Sequence, residues 1–234
     1  MSSASSEIEI CLENGKKRSF AVALDWPGWS RAGKDAGSAL QALVDYGPRY
    51  LSALGEAAKG LKLPKDPAGL KVVERLNGDM TTDFGTPGSI PKSDSRPMGA
   101  AEIKRQQAIL IACWRTFDKA ARTAKGKALQ TGPRGGGRDL NRIINHVFEA
   151  EHAYLVRLGW KAGWTEGPDE AWLPDREDIL AGVEACARGE LPTRGPRGGR
   201  RWPARYYLRR AGWHILDHAW EIEDRLVKAP AKGK

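Results

Sequence analysis

Apolar and polar positions change their rhythm along the chain, and the changes divide it. Residues Glu7 to Leu12 and Arg18 to Leu24 alternate or run apolar around Glu13-Asn14-Gly15. That pattern predicts two strands joined as a hairpin, with Asn-Gly supplying the positive φ angles of a tight turn. Trp26-Pro27-Gly28-Trp29 is a turn by composition. From Asp35 to Leu54 the apolar residues Ala39, Leu40, Leu43, Val44 and Tyr50 fall at helical spacing, and Asp35 is placed to cap that helix. Leu70 to Leu76 reads as a further strand, and Asn77 to Ser95, rich in Gly, Pro, Thr, Asp and Ser, reads as a linker.

Beyond Ala100 the period lengthens to that of long amphipathic helices: Ala101 to Ala124, Asp139 to Leu158, Asp175 to Arg188 and Ala204 to Val227. Four such helices predict a bundle. The fold class is therefore α+β: a small β-hairpin/helix domain over residues 1–76, a linker over 77–99, a four-helix bundle over 100–227 and a basic tail over 228–234. The bundle connections Gly126 to Arg138, Gly159 to Pro174 and Gly189 to Pro203 all carry Gly and Pro. Two of them echo each other, as Gly132-Pro133-Arg134-Gly135-Gly136-Gly137-Arg138 and Gly195-Pro196-Arg197-Gly198-Gly199-Arg200-Arg201, and each precedes a histidine-bearing helix.

Length and composition narrow the class further. The 234 residues suffice for two domains, and 41% hydrophobic with 29% charged residues excludes wholesale disorder. No apolar run approaches membrane-spanning length, and Met1 to Ser6 match no signal or transit peptide, so a cytoplasmic protein with no membrane partner is expected. Cys11, Cys113 and Cys186 are odd in number and far apart, which argues for buried thiols over a disulfide framework or a cysteine zinc site. The excess of 38 Lys and Arg over 29 Asp and Glu gives +9, with Lys228, Lys232 and Lys234 in the tail. An anionic small molecule, nucleic acid or solubility alone would each account for that charge.

All four histidines, His146, His152, His214 and His218, fall in the second and fourth bundle helices. Residues four apart share a helix face, with Cβ atoms about 5–6 Å apart, so His214 and His218 can reach one ion. His146, about two turns into its helix, can lie opposite them and complete a three-histidine site with open positions for water or substrate. A lone HxxxH is more often structural; confinement of all the histidines to two helices favours ligation. His152, six residues after His146, points elsewhere. Glu149 and Glu221 are the candidate catalytic carboxylates, as outer acceptor, fourth ligand or general base, whereas Asp217 and Asp224 read as a solvated helix face.

The stretches His146-Val-Phe-Glu-Ala-Glu-His-Ala-Tyr-Leu155 and Trp213-His214-Ile-Leu-Asp-His218 resemble the DinB/YfiT-like metal-dependent four-helix-bundle superfamily, over residues from about 100 to 226. The resemblance implies a divalent metal on His146, His214 and His218, and a transferase or isomerase reaction using a low-molecular-weight thiol. The histidine-rich run that usually ends the last helix of that family is replaced here by His218-Ala-Trp-Glu221-Ile-Glu223-Asp224-Arg225. The N-terminal portion is similar to HicB-like domains, through the hairpin, Asp25-Trp-Pro-Gly-Trp-Ser-Arg-Ala-Gly33, Asp35 and the helix with Ala39-Leu40. For that portion the similarity implies a module that pairs with a toxin or is inert; with no companion DNA-binding segment, a packing or dimerisation role, compatible with a homodimer, is expected.

Glycine-rich backbone can approach an anion and present N–H groups, and arginine forks bind carboxylate or phosphate. Arg134, Arg138, Arg197 and Arg200 are accordingly the candidate anion- or substrate-binding residues, expected to frame the mouth of the metal site because both loops lead into histidine helices. The leading reading is a metal-dependent enzyme, with zinc or nickel foremost among the divalent ions that imidazoles suit, acting on an anionic small molecule and using S-transfer chemistry. The alternative is a non-catalytic nucleic-acid- or partner-binding module with a structural metal, in which Trp202, Tyr206 and Tyr207 would stack on bases. A degenerate enzyme that keeps the metal without turnover is a third reading. Tyr207, Trp213 and Trp220 equally suit a bundle core.

Overall fold

The computed structural model describes residues 7–132, 137–161 and 176–226 in full, and the backbone of 164–166 and 172–174. The chain is α+β, as its two rhythms predict. Strands β1 (Ile8–Asn14), β2 (Ser19–Ala23), β3 (Ser30–Gly33) and β4 (Leu70–Asn77) form one sheet in the order β3-β2-β1-β4. Strand β2 is antiparallel to β1 and to β3, and β4 is parallel to β1.

The hairpin is present, but its turn differs from the expected one. Asn14 pairs with Ser19, leaving a four-residue loop closed by Gly15 N donating to Arg18 O at 2.8 Å, and Gly15 is not among the residues of positive φ. Glycine serves here for close approach: a Cβ at Gly15 would lie 2.3 Å from Oδ1 of Asp83, which accepts from Lys17 N. Strand β3 was not foreseen, because Ser30-Arg31-Ala32-Gly33 carries little strand propensity and is held by its pairing with β2.

The first helical segment splits into α1 (Ala36–Asp45) and α2 (Gly47–Leu54). Asp35 caps α1 by accepting from Ser38 N, as predicted, and Pro48, near the start of α2, lacks the N–H that would continue the first helix. Residues 77–99, expected to be a linker, hold the short helix α3 (Met80–Phe84) and a 3-10 turn at Lys92–Ser95. They are tied down by buried polar groups: Glu13 on β1 accepts from Thr82 Oγ1, Gly88 N and Ser89 N, and Asp94 pairs with Arg209.

The remaining helices are α4 (Ala100–Ala124), α5 (Leu140–Leu158), α6 (Arg176–Ala187) and α7 (Ala204–Arg225), all within a few residues of the predicted bounds. The connection between α5 and α6, read as a loop, contains an antiparallel ribbon of β5 (Trp164–Glu166) and β6 (Trp172–Pro174).

Helix α7 is the axis of the molecule, since 16 of its 22 residues are buried. One side packs with α4, α5 and α6; the other faces the sheet, where Trp213 packs edge-on to Phe20 and Tyr206, Arg209 and Arg210 line a small cavity with Cys11, Glu13 and Val22. Ile8, Ile10 and Leu12, on the opposite face of β1, share an apolar core with Ala39 and Leu43 of α1 that continues into the bundle. The 26–29 turn is pressed onto α7 through a glycine pair: a Cβ on Gly212 would lie 3.0 Å from Gly28 N, and Gly28 itself has φ +92°.

Cys11 and Cys113 are buried, Cys186 is half-buried, and all three are free thiols. Burial pushes the Cys11 thiol up to about 12. Among the described residues no helix is long and apolar enough to cross a membrane.

Candidate metal centre

Helices α5 and α7 run antiparallel: Arg225, at the end of α7, donates to Arg138 O just before α5, while Trp202, just before α7, donates to Arg157 O near the end of α5. This pairing sets His146 against the C-terminal half of α7. His146, His214 and His218 each offer one ring nitrogen to a common point, and the three atoms lie within 4.8 Å of one another. The Nε2 atoms of His146 and His214 are 3.2 Å apart. Two nitrogens each about 2.1 Å from one ion, at 90–110°, stand about 3.0–3.4 Å apart, so the spacing of this pair suits a shared metal.

Electrostatics keep the donors available. Burial, then the charges of His218, Arg210 and His146, holds His214 well below the ordinary imidazole range. Burial, followed by His218 and Arg138, lowers His146 as well, with Glu149 and Glu221 working the other way. Neutral imidazoles are the ligating form. The Nδ1 of His214 is buried without a hydrogen-bond partner, so its ring orientation comes from packing, against Tyr154 at 5.8 Å and Trp213 at 6.1 Å between ring centres.

Glu221 lies beside His218. Its Oε2 is 2.8 Å from His218 Nδ1, and its Oε1 accepts from Arg225 at 2.6 Å. Arg225 also donates to Gln130 O and Arg138 O, fastening the end of α7 to the chain before α5. The bonds from His218 and Arg225 hold the Glu221 carboxyl down at about 2. Glu149 is different: it is exposed, one turn beyond His146, and makes no hydrogen bond or ion pair with another described residue. His152 is half-buried and outside the convergent group. Asp224 is exposed and pairs with Arg49, whereas Asp217, read as solvated, is drawn into an ion pair with Arg31.

Arg138 does not share a mouth with Arg197 and Arg200. Arg138 stands at the site and its charge reaches both His146 and His214; Arg134 lies outside the described residues. Arg197 and Arg200 belong to the opposite end of the bundle, where Arg200 reaches Ser95 and Arg197 is exposed. The cause is the antiparallel pairing, which sends the starts of α5 and α7 to opposite ends. His214 follows Ala204 by ten residues, about 15 Å of helix.

Three neighbours were not singled out from the sequence. Arg210, one turn before His214, lies over Tyr154 and Trp213 at 5.2 and 4.8 Å and acts on His214 electrostatically. Its i, i+4 spacing from His214 was a legible signal. Tyr154 was legible too, eight residues after His146. Arg225, four after Glu221, reads in sequence as an ordinary helix-end charge and gains its role only through the chain before α5.

The chain matches no family model, no curated protein and no solved structure.

Proposed function

We propose that this chain is a DinB-like divalent-metal protein and a metal-dependent enzyme acting on a small anionic molecule, with a zinc or nickel ion held by His146, His214 and His218. The observation that carries the reading is the convergence of three imidazole nitrogens from two helices within 4.8 Å. Three histidines leave coordination positions open, as catalytic sites do and closed structural sites do not. When bound there, such an ion supplies Lewis acidity that lowers the pKa of a coordinated water or thiol.

The protein's own residues supply orientation and charge. Glu221 is a positioning residue: both its oxygens are engaged, and it directs the remaining nitrogen of His218 to the centre. Arg138 and Arg210 bring positive charge to the histidines, which suits a substrate that carries negative charge. Use of a low-molecular-weight thiol in S-transfer rests on the likeness of the two histidine stretches to the DinB-like superfamily. The small-molecule reading is preferred to nucleic-acid stacking because Tyr206 and Tyr207 are 5% and 0% exposed, which leaves Trp202 alone of the three to meet a base.

Elemental analysis of the purified protein beside His146→Ala, His214→Ala and His218→Ala variants is the direct test. About one equivalent of a divalent metal in the parent, lost from each variant at unchanged helicity, is expected. Unchanged metal content in all three variants would refute the centre. Consumption of a low-molecular-weight thiol in the presence of an activated electrophile, abolished in the His218 variant, would support the enzymatic part.

A further inference from the structure

A cavity of about 410 Å³ opens at the end of the bundle remote from the histidines. It lies between the 94–98 segment, the end of α6 and the start of α7, and Leu158, Cys186 and Trp202 line its apolar part. Five arginines line it as well: Arg96, Arg188, Arg200, Arg201 and Arg205. Among the described residues Asp94 is the one carboxylate in the lining, and it is occupied by Arg209.

Two of the five are answered nearby, Arg188 by Glu184 and Arg205 by Glu102. Arg96, Arg200 and Arg201 have no carboxylate partner among the described residues; one nitrogen of each donates, to Ser93 O, Ser95 Oγ and Gly159 O respectively. A guanidinium carries five donors, so most of this capacity faces the cavity or water. Gly159 makes Arg201's position possible, since a Cβ there would meet its guanidinium at 2.0 Å. Burial, followed by Arg96, lowers Arg205, with Asp25 and Asp94 working the other way. The N-terminus of α7 opens on the same cavity, and its cap, Pro203, offers no side-chain acceptor.

The preceding loop is ordered around this wall. Arg201 N donates to Thr193 O and Gly195 N to Gly199 O, so the GPRGG segment forms a small ribbon with Arg200 at its base. The second basic loop thus serves this cavity and not the histidine centre.

We propose that the cavity is a second ligand site, binding a small organic anion whose phosphate or carboxylate is held by Arg96, Arg200 and Arg201 and whose apolar body rests on Leu158 and Trp202. The volume falls within the range of small-molecule pockets, roughly 300–1,000 Å³, and a planar fork of donors over an apolar floor recognises that chemistry. The site stands independently of the histidine centre.

Calorimetric titration of the full chain at low ionic strength with phenyl phosphate, benzoate, inorganic phosphate and phenol tests it. One saturable site for phenyl phosphate or benzoate is expected, with phenol silent. Which of the two binds tighter identifies the head group, and weaker binding of inorganic phosphate shows the contribution of the apolar floor. The Arg96→Ala/Arg200→Ala double variant alters only exposed side chains and should weaken binding at least tenfold, while His214→Ala should leave it unchanged. Absence of saturable binding, binding indifferent to the double variant, or loss with His214→Ala would overturn the proposal. So would binding of a ten-nucleotide single strand where none of the small anions binds.

Discussion

Glu221 holds the ring of His218 from three residues away on the same helix, with Oε2 2.8 Å from Nδ1. The contact fixes which nitrogen of His218 faces His146 and His214, and Arg225 fixes Glu221 in turn. Glu221→Gln keeps the shape but gives up the charge. Metal affinity should fall about 10- to 100-fold, the usual effect of removing an outer partner of a ligating histidine. The variant should also lose a pH dependence. The folded carboxyl, at about 2, lies below its unfolded value, so its stabilisation is present above about pH 4.5 and disappears as the pH falls toward 2. Competition with a chromogenic chelator and acid unfolding of the metal-free protein measure the two effects.

Protons should compete poorly for the centre. His214 and His146 are both lowered, chiefly by burial. Protonation of His214 and His146 should therefore weaken metal binding only below about pH 6.5, the ordinary imidazole value. In the metal-free protein the sign is the same: the unfolded chain takes up these protons first, so stability declines as the pH drops below about 6.5. Affinity already falling at pH 7.5 would contradict the burial of His214.

Much of this was legible in the sequence because it is written in period. His214 and His218 share a face by spacing alone, and the helix bounds follow from Gly and Pro punctuation. What escaped was set by direction and by contact. The GPRGG repeats look equivalent in sequence, but α5 and α7 are antiparallel, so Arg138 and Arg200 part company. Ser30–Gly33 is a strand only because β2 offers it a ladder. Residues 77–99 have a linker's composition, yet they satisfy Glu13, a buried acid whose need for donors no pattern reveals.

Glu151 gives a second, opposite pH signature. It is 1% exposed in the bundle interior, accepts from Trp114 Nε1, and burial raises it to about 7. A raised acid favours the folded state below its unfolded value, near 4.5, and that advantage is lost as the pH climbs toward 7. Glu151→Gln stays neutral and keeps an acceptor for Trp114. At about 1.4 kcal/mol per pH unit, the variant should be more stable than the parent by up to about 3 kcal/mol at pH 8 and nearly equal to it at pH 4.5. Urea unfolding at the two pH values reads the difference.

The contact between Gly212 and Gly28 sets how closely the 26–29 turn lies on α7. A methyl group on residue 212 would meet Gly28 N at 3.0 Å and Pro27 C at 3.2 Å, both backbone atoms that cannot rotate away. Gly212→Ala should therefore destabilise by about 1–3 kcal/mol, despite alanine's better helix propensity, which alone would stabilise by about 1 kcal/mol. A rise in the urea midpoint would show that the turn yields freely.

Asp94 and Arg209 are 3% and 6% exposed and face each other between the 92–95 turn and α7. Burial raises the Asp94 carboxyl while Arg209 draws it down, so the pair survives as a balance between desolvation and attraction. Truncating one partner removes the attraction and leaves the other's desolvation uncompensated. Asp94→Ala, which strands the Arg209 guanidinium with Leu24 O as its remaining bond, should cost about 3–5 kcal/mol. Asp94→Leu with Arg209→Met removes both charges and should recover most of that loss, because apolar side chains of similar volume fill the space without desolvation. Denaturant unfolding of the parent, single and double variants decides it: a double variant no more stable than Asp94→Ala would mean that the ion pair is itself a net source of stability, through which residues 77–99 are held to α7.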